Sequence, residues 1–334
     1  MTSHAAQRVT YGAIAILFLV TLTAVDAAAA QAESTWPALA ALVRHGSVIP
    51  LTFIGLTLAA AAELRRILAG AGCRPHARWA YVMIVLLMSQ PWIAPTGWLG
   101  YAPQHREGVV GQFVLLGLAT VGTMWLQVRR RDPSRTLRDA GSTLLMILYL
   151  GLLPSFGLQL RCGWDVDPGR GAWTLLFVIL MIKGSDIGGY LVGSVFGRHK
   201  LIPEISPSKS WEGTIGGVAL SAGFALGLVA TARMLGAIAG GLWESEVESI
   251  GALVDEVFGV FDRLGYIRAG VLGAVLAFFA LLGDLFESCI KREGGVKDSA
   301  SHIPTYGGIL DLLDSPCGAL PVAWFLLREA WGVL

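Results

Sequence analysis

Between Lys291 and Ser315 the chain reads KREGGVKDSASHIPTYGGILDLLDS, a charged stretch set between two apolar segments. Lys291, Arg292 and Lys297 stand among the carboxylates Glu293, Asp298, Asp311 and Asp314. Just upstream, Asp284 and Glu287 are three residues apart, the same spacing as Asp311 and Asp314, so each pair shares one face of a helix. Carboxylates this close to hydrocarbon are costly unless they are protonated, paired or bound to cations. The residue types alone allow two readings. In one, Lys291, Arg292 and Lys297 snorkel and neutralise the carboxylates at a membrane interface. In the other, the carboxylates hold a divalent metal, since Mg²⁺ usually takes one or two carboxylates plus substrate phosphates. Two such metals can clamp an attacking and a leaving oxygen, and neighbouring lysines suit phosphate oxygens.

A second charged segment, GRHKLIPEISPSKSWEGTIGG, runs from Gly197 to Gly217. Lys200 and Lys209 precede a helix expected to begin near Thr214, whose free N–H groups would suit an anion. Trp211 fits either an interfacial anchor or a surface on which a base packs. Upstream, MIKGSDIGGY places Lys183, Asp186 and Tyr190 on one helix face. An Asp three residues from a Lys reads equally as a structural ion pair or as part of a site. Gly188 and Gly189 would let another helix approach closely.

These segments must be carried by membrane-spanning helices. The chain has 334 residues, 54% hydrophobic and 15% charged, against about 25% charge for a soluble domain. The expected fold class is an all-α polytopic integral membrane protein. Apolar windows predict about nine transmembrane helices, near 11–30, 47–64, 79–97, 109–128, 140–156, 173–194, 214–235, 268–285 and 309–327. The third contains Pro91 and Pro95 and reads as kinked or re-entrant. With the N-terminus cytoplasmic, Lys and Arg favour the inside loops by about two to one, which sets that orientation. Loops 196–213 and 286–308 then share the cytoplasmic face. Residues 1–32 have an apolar run that could serve a cleaved signal peptide, but the run is long and only Arg8 precedes it. The expected division is N-terminal helices over 1–140 and a catalytic region over 141–334, within one membrane domain. A net charge of +1 gives no field that points to nucleic acid. Cys73, Cys162, Cys289 and Cys317 form no paired motif and read as apolar fillers.

The charged segments resemble the phosphatidate cytidylyltransferases (CDP-diacylglycerol synthases). Ser288-x-x-Lys291-Arg292-x4-Lys297-Asp298, followed by Pro304 and Gly307-Gly308-x-x-Asp311-x-x-Asp314-Ser315, is similar to that family's C-terminal signature. SPSKSWEGTIGG (Ser206 to Gly217) resembles its Ser-Pro-x-Lys-x-Trp-Glu-Gly motif, and SDIGGYLVGSVFGRHKL (Ser185 to Leu201) the segment before it. The likeness covers roughly residues 175–325. Two signature positions differ: Tyr306 stands where the family has histidine, and Leu312 where it has arginine.

The resemblance implies transfer of a cytidylyl group from CTP to phosphatidate, giving CDP-diacylglycerol and pyrophosphate, at a bacterial inner membrane with the site facing the cytoplasm. It implies Mg²⁺, with a second monovalent or divalent cation as an option, and metal ligands among Asp284, Asp311 and Asp314. Lys297 and Asp298 join Asp284 and Asp311 as candidate catalytic residues. Candidate substrate-binding residues are Asp186, Ser206, Lys209, Trp211, Glu212, Lys291, Arg292, Tyr306, Gly307 and Gly308. The expected partners are CTP, phosphatidate or a related lipid phosphate, membrane lipids and, as an assembly, a homodimer. Other readings are a CTP-dependent enzyme with a different lipid phosphate acceptor, a catalytically silent paralogue, or a transporter with an ion path lined by Lys183 and the carboxylates. Against the transporter, the charges lie at one membrane face, and the sequence shows no inverted repeat.

Overall fold

The computed structural model describes residues 3–31, 46–93, 105–162, 168–241, 246–300, 307–330 and 332. Its helices are α1 (Ser3–Gln31), α2 (Val48–Gly70), α3 (Ala77–Ile93), α4 (His105–Arg130), α5 (Thr136–Ile147) and α6 (Leu153–Cys162), the last two joined by a π-turn over Leu148–Leu152. There follow α7 (Pro168–Phe196), α8 (Trp211–Gly241), α9 (Glu246–Glu293) and α10 (Leu310–Trp324), which a π-helical stretch continues to Ala330. Long runs of Leu, Ala, Val and Ile fold this way because apolar surroundings offer the backbone no partners beyond its own helix.

Among the described residues, each of the nine apolar windows falls mainly on helix, yet length and composition support seven crossings. They are Val48–Gly70, Val110–Arg130, Pro133–Cys162, Gly169–Phe196, Trp211–Ile238, Gly251–Glu293 and Leu310–Arg328. The apolar part of α1, Ile14–Ala30, is shorter, and α3 has 17 residues. Pro91 sits in the last turn of α3, where it lacks the N–H that would bond to the carbonyl four residues back; Pro95 lies outside the described residues. In α9, Gly265 turns the backbone at φ 71°, a conformation that favours glycine. The helix bends there and runs on to Glu293.

The expectation of an all-α chain needs one correction. Loop 196–213 folds as an antiparallel hairpin, with β1 (Lys200–Ile202) against β2 (Ser206–Ser210). Lys200 faces Ser210, and Ile202 faces Ser206, with a register irregularity between the two pairs. A two-stranded hairpin consists entirely of edges, so Pro207 in β2 costs no obligatory ladder bond. The backbone N–H of Trp211 donates to the His199 carbonyl at 3.0 Å and closes the hairpin onto α8. Consequently α8 starts at Trp211, three residues before the expected start.

The chain divides into two compact units. One comprises residues 1–158 with 290–313, and the other 159–289 with 314–334. The region expected to be catalytic, 141–334, thus contributes to both.

In the first unit, buried carboxylates tie helices together. Fully buried Asp26 on α1 accepts the N–H groups of Val48 (2.8 Å) and Ile49 (3.0 Å) at the start of α2. Fully buried Asp139 on α5 accepts the Arg74 N–H at 2.9 Å and the Arg130 guanidinium at 2.8 Å. Each contact satisfies a group that would otherwise cost about 1–3 kcal/mol to bury. All four cysteines are free, three of them buried, and burial raises the Cys73 thiol pKa.

In the second unit, α7 and α8 meet along a seam of glycines. A Cβ on Gly188 would lie 2.6 Å from the Gly216 carbonyl oxygen and 3.0 Å from Gly217 Cα. One on Gly213 would lie 2.7 Å from the Gly189 carbonyl oxygen. The close approach expected of Gly188 and Gly189 is therefore present. Because the obstructing atoms are backbone, the Gly188→Ala protein should lose about 1–3 kcal/mol by overpacking. Gly184 on the same helix has open space around its missing Cβ, so Gly184→Ala should be neutral or mildly stabilising. Unfolding of both variants in detergent would check the contrast.

Candidate active site

Among the described residues, the acidic positions singled out in the sequence, Asp186, Asp284, Asp311 and Asp314, fall into two clusters, one in each unit. The second unit's cluster draws on four elements. Lys183 and Asp186 stand one turn apart on α7, with Lys183 Nζ at 3.3 Å from Asp186 Oδ2 and 3.9 Å from Asp314 Oδ1 of α10. The Ser315 hydroxyl donates to Asp186 Oδ1 at 3.2 Å. From β2, Lys209 Nζ reaches Asp284 Oδ2 of α9 at 2.6 Å. One carboxylate oxygen each of Asp284, Glu287 and Asp314 lies within 4.8 Å of the other two. Glu287 and Asp314 are buried, and Asp284 is half-buried.

Carboxylates held this close repel strongly where water is scarce. Against Asp186, Asp284, Glu287 and Asp314 stand the ammonium groups of Lys183 and Lys209. Four carboxylates and two ammonium groups make this an acidic, oxygen-rich group. Hard oxygen donors at this spacing suit Mg²⁺ or Ca²⁺, so the residues fit the group that the resemblance implies. Beside them lies a cavity of about 220 Å³. Its polar wall includes Asp186, Lys209 and Asp284, and its apolar wall Val218, Ala277 and Leu281.

The hairpin residues take distinct places. Ser206 and Ser210 are buried, and Ser210 Oγ accepts the Gly213 N–H at 3.1 Å as an N-terminal cap of α8. One of the N–H groups expected to face an anion is therefore already used. Glu212 accepts the backbone N–H groups of Arg198 and His199, each at 3.2 Å, and lies 2.6 Å from His199 Nδ1. It fastens the hairpin to α8. Trp211 is 58% exposed, a placement that suits the interfacial anchor of its two readings.

The first unit's cluster centres on Asp311, in the first turn of α10. Asp311 Oδ1 accepts from Lys291 Nζ at 2.6 Å. Its Oδ2 accepts from the Gly308 N–H (2.7 Å), the Ser299 N–H (3.2 Å) and the Ser299 hydroxyl (2.7 Å). Gly307 has φ 90°, and a Cβ there would lie 2.6 Å from Asp311 Oδ2. A Cβ on Gly308 would overlap the Ser299 hydroxyl and the Glu63 carboxylate. The glycine pair is thus demanded by close packing against two carboxylates, a reason that holds before any nucleotide is considered. Lys297, Asp298 and Arg292 are exposed, and Arg292 donates to the Val296 carbonyl at 3.3 Å. Tyr306 lies outside the described residues.

The expected metal set was Asp284, Asp311 and Asp314. Asp284 and Asp314 do come together, but their third carboxylate is Glu287, while Asp311 belongs to the other unit, engaged by Lys291, Ser299 and Gly308. The sequence reading also passed over Glu63, Ser299 and the partnership of Ser315 with Asp186. Glu63 carried a usable signal: a lone carboxylate in the apolar run IGLTLAAAAELRRIL is itself grounds for suspecting a function.

A family model described as Cytidylyltransferase family matches residues 34–329. Among named relatives, the phosphatidate cytidylyltransferase of Mycobacterium leprae is 34% identical over 194 residues, 58% of this chain and 51% of that protein. The Haemophilus influenzae protein of the same name is 36% identical over 180 residues, 53% of this chain and 54% of the relative. That of Staphylococcus aureus is 32% identical over 229 residues, 68% of this chain and 75% of the relative. The chain spans about half the length of the first two and three quarters of the third. With the family match extending over most of its length and through both charged clusters, the chain belongs to the cytidylyltransferase family.

Proposed function

We propose that this protein transfers a cytidylyl group from CTP to phosphatidate, forming CDP-diacylglycerol and pyrophosphate. Family membership and the activity for which the relatives are named support the reading. The observation that carries it is the second unit's cluster: three carboxylates with oxygens within 4.8 Å of one another, beside a cavity lined by both polar and apolar side chains. A transporter reading lacks comparable support.

The chemistry asks little of a general base. A phosphate monoester is largely ionised near neutral pH, so one of its oxygens attacks the α-phosphorus of CTP directly. A new P–O bond forms, the bond from the α-phosphorus to the bridging oxygen breaks, and pyrophosphate leaves with that electron pair. The main obstacle is repulsion between two polyanions, so positioning and positive charge dominate the barrier. Lys209 is placed to receive an anionic oxygen at the polar wall of the cavity. Lys183 holds Asp186 and Asp314 in place from below. Asp284, Glu287 and Asp314 would hold Mg²⁺ in the second unit, and Asp311 is a candidate ligand for a second cation in the first; bound metal would neutralise charge on the reacting phosphates. In the first unit, Lys291 would steady phosphate oxygens, together with the exposed Arg292 and Lys297. The apolar wall formed by Val218, Ala277 and Leu281 suits the lipid side of the acceptor. We further propose nine crossings with a cytoplasmic N-terminus in a bacterial inner membrane, the orientation favoured by the loop charges. CTP would then arrive from the cytoplasm.

Purified protein incubated with radiolabelled CTP, phosphatidate and Mg²⁺ should move label into the lipid extract, and chelation with EDTA should abolish it. Asp284→Asn should cut the rate by about 10²–10³-fold, the usual cost of removing one charge-organising group, with little change in unfolding temperature. Wild-type protein that binds CTP yet labels neither phosphatidate nor a panel of polyprenyl and ether-lipid phosphates would refute the assignment. Lys209→Met should lose about 10²-fold in kcat/KM. Arginine at the same position should restore only part of it, because a planar fork replaces a compact ammonium.

A further inference from the structure

Glu63 lies on α2, far from every family motif in the sequence, and is 2% exposed. Its carboxylate meets the start of α10. Oε1 accepts the Ile309 N–H at 3.1 Å, and Oε2 accepts the Leu310 N–H at 2.9 Å. The first N–H groups of a helix have no partner within it, and a carboxylate that accepts them also meets the positive end of the helix dipole. Glu63 therefore caps α10 from another helix.

The same carboxylate connects to Asp311. The Ser299 hydroxyl is 2.9 Å from Glu63 Oε2 and 2.7 Å from Asp311 Oδ2. Gly308 donates its N–H to Asp311, and its missing side chain leaves the space that the Glu63 carboxylate and Ser299 hydroxyl fill. A second grip lies two turns along α2: a Cβ on Gly70 would come within 2.8 Å of the Gly294 carbonyl oxygen, and one on Gly294 within 2.8 Å of the Ile67 carbonyl oxygen. Helix α2 thus holds both ends of the segment that runs from Lys291 to Asp311.

We infer that Glu63 is a positioning residue for the transfer reaction: by capping α10 and sharing Ser299 with Asp311, it fixes the orientation in which Asp311 and Lys291 are presented to phosphate oxygens and to a cation bound in the first unit. The inference rests on the proposed cytidylyl transfer for its catalytic consequence, but its structural half can be read without any turnover. Neutral glutamine at this position keeps the shape and loses the charge that two backbone donors and a hydroxyl address.

The test compares the full-length wild type with Glu63→Gln, Glu63→Asp and Ser299→Ala in detergent. Hydrogen exchange of peptides covering 307–313 is measured beside the Mg²⁺ dependence of cytidylyl transfer. In Glu63→Gln, exchange at Ile309 and Leu310 should rise about tenfold while exchange of α7 and α8 stays at the wild-type level. The Mg²⁺ concentration for half-maximal transfer should rise severalfold, with excess Mg²⁺ recovering much of the rate. Glu63→Asp should fall between the two, and Ser299→Ala should shift the Mg²⁺ dependence in the same direction. Local exchange and Mg²⁺ dependence both unchanged in Glu63→Gln would overturn the inference. So would a uniform rise in exchange over all helices with a normal Mg²⁺ dependence in Ser299→Ala, which would mark a purely structural role. If wild-type protein transfers no label, the proposed function fails, while exchange at Ile309 and Leu310 still decides whether Glu63 caps α10.

Discussion

A carboxylate in an apolar helical bundle must find donors or cations, and the architecture of this protein is organised by that requirement. Leaving such a group ionised and unmatched costs far more than the net stability of an ordinary domain. Each buried acid is accordingly placed where something positive waits. Asp26 sits at a helix start, Asp139 beside an arginine and a backbone N–H, and Glu63 at another helix start. Asp311 has a lysine and three further donors. The group of Asp284, Glu287 and Asp314 differs from these. Three carboxylates crowd together there, and that crowding is the ground on which a cation is proposed.

The same rule explains what could be read from the sequence. Charge in a hydrophobic chain is conspicuous, so Asp284, Lys291, Asp311 and Asp314 stand out before any fold is known. Spacing of three residues correctly put Lys183 with Asp186. The apolar windows located helices well, because few other conformations are open to such segments. Chain crossings were harder to count, since α1 and α3 are apolar yet short. The hairpin was missed because Pro203, Pro207 and scattered serines give none of the alternation that marks a strand; its strands are held by backbone pairing and by Glu212.

Partnerships across long separations were not legible at all. Glu63 and Ile309 are 246 residues apart, and no periodicity connects them. The identity of the third carboxylate beside Asp284 and Asp314 was equally hidden. Asp311 and Glu287 are each one helical turn from a member of the group, and only the packing of α9 and α10 decides between them. Gly307 and Gly308 show a related limit. They were expected to bind substrate, and the close neighbours that their missing side chains make room for are Glu63, Ser299 and Asp311.

The length of α9 has a consequence for the lipid. From its bend at Gly265 to Glu293 the helix rises about 42 Å at 1.5 Å per residue, more than the roughly 30 Å of a hydrocarbon core. A helix of that length can carry its last turns, with Lys291 and Arg292, past the acyl chains, and Asp284, about 10 Å back from Lys291 along the axis, to the level of the headgroups. A lipid whose phosphate reacts at that depth can keep its tails among its neighbours throughout. Lifting them out would cost about 0.8 kcal/mol for every methylene exposed, tens of kcal/mol for two long chains. Under the proposed transfer, charges carried to the headgroup plane would make that extraction unnecessary, and the soluble nucleotide would do the travelling.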